Sequence, residues 1–397
     1  MLTGRKYRLA LTTPQAEYAE QVGAACRAVW NTGLEQRREY RRRGALLNYV
    51  SQARELAEAK LEHEWLKIAP GHCLQQTLMD LDRACQDQGP FKVRWRSARL
   101  WQPSFRFPEG SKIQVERLNR RWGRVKLPKF GWVRFRWTKA LGGAIRSATV
   151  SRDGQHWYIS FLVETGVCTP EQHARPNTAV GVDRGVIVAV ACSDGRTRNR
   201  AFTSDGERIR RRRLQQKLAR QPKCSANRRK TRAALHELKL RERDRRKDFT
   251  AWTANRIATA NALVVLEALR TRDMTASARG TINEPGRNVA QKSGLNRAIL
   301  DKGWHLFELA LRSVARLTGT EVVKVSAAYT SQTCSSCRSV DPRSRESQAR
   351  FRCTSCGHSE NADVNAAKNI LAAGLAVTAC GDLAIGRFVK QEPAGKP

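Results

Sequence analysis

The sequence predicts an α+β multidomain chain, and three observations predict it. Helical amphipathic spacing dominates residues 14–89, short β-type runs dominate residues 91–164, and a later block alternates apolar runs of strand length with amphipathic helices around a double Cys-x-x-Cys motif. A chain of 397 residues also exceeds what one core usually holds, so two or three domains are expected.

Lys6 to Leu11 alternates basic and apolar or aromatic side chains and predicts a strand. "TTPQ" then opens a helix, with Thr13 as cap and Pro14 in the first turn. Val22, Cys26, Val29 and Trp30, and later Leu74, Leu78 and Leu81, recur at spacings of three and four, which makes residues 15–88 a small helical subdomain. From Phe91 to Glu164 the runs "SFRFPEG", "GRVKLPKFGWVRFRW" and "SATVSRDGQHWYISFLVE", separated by turn residues, predict a small antiparallel β-barrel or sandwich. Its mixture of Arg and Lys with Trp, Phe and Tyr fits an ordinary solvated surface, and equally one that follows a phosphate backbone while stacking on bases.

"GVCTPEQHARPNT" (166–178) reads as a linker. Ala179–Asp183 then reads as a strand, Gly185 as a tight turn and Val186–Ala191 as an antiparallel partner. Residues 207–248 are strongly basic and helical, with Leu214 and Leu218, then Leu235 and Leu238, as inner faces and "QPKCSAN" as a break. A charge run is usually a solvated face, but one sign at this density points to phosphate contact. A helix through "DFTAWTANRIATAN" leads into "ALVVLE", an apolar run typical of a parallel strand covered on both faces. Residues 271–294 read as a long loop, "LNRAILDKGWHLFELALRSVARLTG" as one amphipathic helix closed by Gly319, and "TEVVKVS" as a further strand. A last helix follows the cysteine block, and residues 377–397 read as a tail.

Lys and Arg total 73 against 36 Asp and Glu, a net charge of +37. That excess calls for a polyanionic partner, nucleic acid first, because basic groups that neutralise phosphates release condensed counterions. The longest apolar runs, such as "GVIVAVAC" and "NALVVL", are too short to span a bilayer, and "MLTGRKYRLALTT" lacks the apolar core of a secretion signal. No membrane partner is expected, and the location expected is cytoplasmic, in a prokaryote and associated with the nucleoid. With no secretory context, the eleven cysteines favour a reduced compartment and metal over disulfides.

Cys334, Cys337, Cys353 and Cys356 form C-x2-C-x15-C-x2-C, the spacing of a zinc ribbon. Four thiolates leave no open coordination position, so the Zn2+ they imply is structural; His358 stands near enough to compete, but four cysteines suffice. Close behind comes Asp363, in line on a helix with Ala367, Ile370 and Leu371, so its carboxylate shares the inward face. An acid there is costly unless paired or bound to metal. Asp183 ends a strand with apolar neighbours, and Glu267 stands at the carboxyl end of another, where open α/β sheets place their ligand sites. Each alone reads first as a strand-end or helix-cap acid. Together they would offer hard oxygen ligands to Mg2+ or Mn2+ and support phosphodiester hydrolysis.

The stretches "YRLALTTPQ", "CRAVWNTGLE", "LQQTLMDLDRA", "GVDRGV", "DRRKDFTAW", "VVLEAL", "KSGLNRAILDKGW", "YTSQTCSSC", "FRCTSCG" and "ADVNAAKNIL" run in one order across nearly the whole chain. In them the chain resembles the TnpB (OrfB) family of transposon-encoded RNA-guided nucleases, related to compact type V CRISPR effectors. The resemblance implies a C-terminal RuvC-like, RNase H-type α/β nuclease domain (176–329 and 359–376) with an inserted zinc ribbon (330–358). It implies Asp183, Glu267 and Asp363 as catalytic ligands of Mg2+ or Mn2+. It further implies an N-terminal wedge-like β-barrel (1–13 and 90–170) and a helical recognition insertion (14–89), which together hold a guide RNA and target DNA. The implied function is RNA-guided DNA endonuclease acting by a two-metal mechanism at one site, beside a short flanking motif. Arg184 stands where the family usually has an apolar residue, Ala268 where a polar one is common, and residues 271–294 fall where relatives carry a mobile lid. A nuclease-inactive, repressor-like RNA-guided protein and a basic zinc-ribbon RNA-binding protein of ribosomal type stay open, as does the number of chains per guide.

Overall fold

The computed structural model describes residues 1–281, 284–326 and 328–379; from residue 380 onward the expected tail lies outside the described residues, and residues 377–379 are still helical. The chain divides into two compact units, the first being Met1–Val167 and the second beginning at Cys168.

In the first unit, strand β1 (Leu2–Ala10) is followed by helices α1 (Thr13–Arg42), α2 (Tyr49–Glu62), α3 (Glu64–Ile68) and α4 (Gly71–Gln88). Thr12, not Thr13, caps α1: its hydroxyl accepts from Gln15 N at 3.4 Å while Gln15 Oε1 accepts from Thr12 N at 3.2 Å. Both threonines precede Pro14, and the reciprocal bond that only Thr12 can make with Gln15 selects it. The apolar stripes meet as expected, with Val22, Cys26 and Val29 of α1 and Leu74, Leu78 and Leu81 of α4 all buried in one core. Strands β2 (Ser104–Phe107), β3 (Gln114–Arg117), β4 (Trp122–Leu127), β5 (Gly131–Arg136), β6 (Ala144–Asp153) and β7 (His156–Glu164) join β1 in a seven-stranded antiparallel sheet of order β2-β6-β7-β1-β5-β4-β3. β1 pairs with β7 along Leu2–Arg8 and with β5 at Leu9 and Ala10, so one strand serves both halves. Among the described residues no ladder joins β2 to β3, and the paired strands stay open rather than closing a ring.

The second unit carries β8 (Ala179–Asp183), β9 (Val190–Cys192), β10 (Thr197–Arg198), α5 (Asp205–Arg220), α6 (Ala226–Ala260), β11 (Leu263–Glu267), α7 (Thr271–Met274), α8 (Val289–Lys302), α9 (Trp304–Thr318), β12 (Glu321–Val325), β13 (Arg350–Arg352), β14 (Ser359–Asn361) and α10 (Ala362–Ala379). The sheet order is β10-β9-β8-β11-β12, with β8, β11 and β12 parallel. No described helix is long and apolar enough to cross a membrane.

Four further expectations are corrected. The antiparallel partner of β8 starts at Val190 instead of Val186, because residues 184–189 turn away: Asn199 Nδ2 and Lys302 Nζ donate to Ile187 O (2.8 and 3.0 Å), and Trp304 Nε1 donates to Gly185 O (3.2 Å). The basic segment from 226 and the "DFTAW" segment form one helix of 35 residues. Conversely, the helix expected through Gly303 is two, α8 and α9. Gly303 has φ 70°, and a Cβ on it would meet the Arg246 side chain at 2.8 Å, so both conformation and space select glycine. The long loop shortens accordingly, since α7 opens it and α8 takes its end.

The faces of this sheet decide where the acids go. Val180, Val182, Val264 and Leu266 share one core with Ala254, Ile257 and Ala258 of α6 and Phe307 and Leu311 of α9. Side chains alternate along a strand, so Gly181, Asp183, Val265 and Glu267 point to the opposite face, where Val265 meets Ile370 of α10. Gly181 lets α10 come close: a Cβ there would stand 2.1 Å from Ala367 O and 2.6 Å from Leu371 N. That approach seats α10 on β8.

Candidate active site and metal centre

Asp183 and Glu267 end adjacent parallel strands whose last recorded rung is Val182 against Leu266, one residue earlier. Both therefore leave the carboxyl edge of the sheet on the α10 side. Asp363 stands in the first turn of α10, one turn before the Ala367 carbonyl that touches Gly181. Asn361 caps this turn, its Oδ1 accepting from Asp363 N (3.0 Å) and Val364 N (3.2 Å). Asp363 Oδ2 lies 3.8 Å from where a Cβ would sit on Gly185, beside the end of β8. The three acids thus come together from segments far apart in the chain.

Glu267 and Asp363 are buried and Asp183 is partly buried. Burial first, then the charges of Glu267 and Asp363, push the Asp183 carboxyl up to about 7, against the opposing pull of Arg184 N–H and of Arg345. Burial likewise raises Glu267 and Asp363, while neighbouring donors and cations hold them down. For Glu267 the first of these is the Thr330 hydroxyl, which donates to Oε1 at 2.7 Å; for Asp363 it is Arg345, whose Nη2 is 3.3 Å from Oδ1. Three acids share too little positive charge, and a bound divalent cation would supply it. Hard carboxylate oxygens suit Mg2+ or Mn2+.

The four cysteines also converge. Cys334 Sγ is 3.7 Å from Cys356 Sγ, Cys337 Sγ is 3.6 Å from Cys353 Sγ, and all four sulfurs lie within 4.8 Å of one another. Zinc at ~2.3 Å from each of four tetrahedral sulfurs sets an edge of about 3.8 Å, so the cluster has the dimensions of a Zn2+ site. Among the described residues no other set of three or more His, Cys, Asp or Glu is gathered so tightly. The three carboxylates are not gathered that tightly.

The two clusters are tied together by residues that spacing arguments missed. Asn365 Nδ2 donates to Thr333 O (2.8 Å) and its Oδ1 accepts from Ser335 N (2.8 Å). Asn369 Nδ2 donates to Thr330 O (3.0 Å) and Thr333 O (2.6 Å). The first cysteine knuckle is thereby fastened to the helix that carries Asp363, and Thr330 in that stretch bonds Glu267. A signal existed for the asparagines, two amides four apart in an otherwise Ala-rich helix; none existed for Thr330 or Arg345. His358 stays outside the sulfur cluster, with Nε2 3.0 Å from Glu360 Oε1.

Comparison with known proteins gives three family profiles: a helix-turn-helix domain of OrfB over residues 1–45, OrfB described as "Probable transposase" over 160–278, and the Cas12f1-like TNB domain over 304–370. InsQ of Escherichia coli strain K12, a proposed RNA-guided DNA endonuclease, is 37% identical over 378 residues, covering 93% of this chain and 92% of InsQ. The chain belongs to the TnpB (OrfB) family. A second relative, a proposed RNA-guided DNA endonuclease of Streptomyces pristinaespiralis, is 30% identical over 95% of this chain and 90% of its own length. Among solved structures, Cas12f1 in complex with sgRNA and target DNA superimposes with a TM-score of 0.56 at 15% identity, covering 91% of this chain and 83% of that one. At that identity the likeness bears on the fold: this TnpB-family chain shares the α+β architecture of Cas12f1.

Proposed function

We propose that the protein is an RNA-guided DNA endonuclease whose single cutting site is formed by Asp183, Glu267 and Asp363. The observation that carries this reading is the meeting of three buried or partly buried carboxylates at the carboxyl edge of a parallel sheet, all raised by burial and Asp183 also by the charges of the other two. The names of its relatives and a net charge of +37 support nucleic acid as the partner. In this reading the second unit is a RuvC-like, RNase H-type nuclease domain with an inserted zinc ribbon. The first unit is a wedge-like domain, its seven-stranded antiparallel sheet open between β2 and β3, with a helical recognition insertion that holds guide RNA and target DNA.

Two Mg2+ ions, when bound, would activate the attacking water and stabilise the leaving oxygen of the phosphodiester. The chain's own residues prepare for this. Asp183, Glu267 and Asp363 would supply the oxygens, Thr330 holds the Glu267 carboxylate by its hydroxyl, and Arg345, partly exposed beside Asp363, keeps a cation next to the site. The four cysteines hold Zn2+ in a structural role, keeping Thr330 and Asp363 in register.

The test is Asp183→Ala in the full chain loaded with guide RNA. Magnesium-dependent cleavage should be lost while guide and target binding persist; undiminished cleavage refutes the assignment. Retained binding without any cleavage by the unaltered chain would instead support a repressor-like protein.

A further inference from the structure

Arg184 follows Asp183 directly, yet its side chain is 2% exposed and reaches Glu308 on α9, while its charge still helps to hold the Glu267 carboxyl down. Nη2 donates to the main-chain carbonyl of Glu267, and Nη1 lies 3.5 Å from Glu308 Oε2 on α9. Nε finds no partner among the described residues. Glu308 is itself shared with Lys324 of β12 (2.7 Å) and Arg312 of α9 (3.3 Å). A buried cation is costly, and an apolar side chain would fill the same space without that cost. What the guanidinium adds is direction. The recorded β8–β11 ladder stops at Val182 and Leu266, and the Arg184 bond crosses between the same two strands just beyond, at the residue that carries the second carboxylate.

We propose that Arg184 is a positioning residue: clamped by Glu308, it replaces the missing ladder rung and fixes the spacing of the Asp183 and Glu267 carboxylates for divalent-cation binding. This rests on the reading of those carboxylates as a metal site. The planar fork of arginine reaches two acceptors from one rigid group, which a lysine ammonium does not reproduce. Removing Arg184 leaves Glu308 with Lys324 and Arg312, so the loss falls on the strand ends rather than on a newly orphaned acid.

The experiment measures Mn2+ binding by electron paramagnetic resonance on the full chain loaded with guide RNA. The site-specific part is the Mn2+ that the unaltered chain binds and Asp183→Ala does not. Arg184→Met should weaken that part about tenfold, the loss of one charge-assisted hydrogen bond, and Arg184→Lys should not restore it. Guide affinity should stay within about twofold of the unaltered chain, because phosphate contacts, which carry that affinity, do not involve a buried Arg184. Glu308→Gln, which keeps Arg184 in place but loosens its anchor, should weaken Mn2+ by a smaller factor and carries the test if Arg184→Met does not unfold cooperatively. Unchanged Mn2+ affinity in a folded Arg184→Met, or failing that in Glu308→Gln, overturns the proposal. Rescue by Arg184→Lys would also overturn it. If Asp183→Ala binds as much Mn2+ as the unaltered chain, the metal-site reading falls first and this inference with it.

Discussion

Asp183→Asn keeps the shape of the side chain and removes one negative charge from three crowded acids. In the folded chain the Asp183 carboxyl is raised from 3.8 to about 7. A folded value above the unfolded one means that the native state holds the extra proton between those pH values, so stability is full below pH 4 and falls as the pH rises toward 7. Across about three decades of pH at about 1.4 kcal/mol each, ionising Asp183 costs the metal-free fold about 4 kcal/mol at most. Relaxation and water penetration should leave about half of that. For a cooperative unit of this size about 2 kcal/mol corresponds to about 4–8 °C. In magnesium-free buffer at pH 8, without chelator so that zinc stays bound, Asp183→Asn should therefore melt higher than the unaltered chain by about that interval. The gain should shrink to about a quarter at pH 4.5, where the folded Asp183 is protonated but its unfolded counterpart is mostly ionised. Added Mg2+ should raise the melting temperature of the unaltered chain and leave that of the variant, which should not cleave. Scanning calorimetry at the two pH values decides. A variant that melts lower at pH 8, or a gain of equal size at both, would refute the argument that charge crowding strains this site.

Further outcomes follow from other parts of the structure. Elemental analysis should find one zinc per chain, and Cys353→Ser should lower it and reduce cleavage, because the first knuckle is bonded to the helix bearing Asp363. Gly181→Ala should destabilise the chain by about 1–3 kcal/mol, since a Cβ would overlap the α10 backbone; chemical denaturation measures it. Thr330→Val removes the hydroxyl that holds the Glu267 carboxyl down, so the acidic limb of the cleavage-rate profile should move to higher pH. Arg210, Arg212 and Arg213 are exposed on α5. Replacing all three with Ala should weaken guide binding at low salt and flatten its dependence on log salt by about 0.7 for each phosphate that is no longer neutralised.

What was legible in the sequence was what local chemistry dictates. "ALVVLE" announced a covered parallel strand because only such a strand is apolar on both faces, and the cysteine spacing announced the sulfur tetrahedron because two knuckles suffice to build it. The carboxylates could be marked as costly from their apolar neighbours; their meeting could not, since it depends on β8 pairing with β11 and on Gly181 admitting α10, contacts between segments 80 residues and more apart. Gly303 is hidden in the sequence because the apolar spacing continues on both sides, while the left-handed backbone and the Arg246 side chain that demand glycine are tertiary facts. Arg184 was visible as an odd residue beside Asp183. Its burial, and its reach to Glu267 O and Glu308, came only with the fold.

That α10 comes last among the described elements has a consequence for synthesis. Until residues 362–379 leave the ribosome, the β11 face bearing Val265 has no cover, and the third acid does not exist. In the proposed reading, a chain stopped short of residue 362 therefore lacks one ligand of the cutting site. The same segment that brings Asp363 to Asp183 and Glu267 also covers Val265.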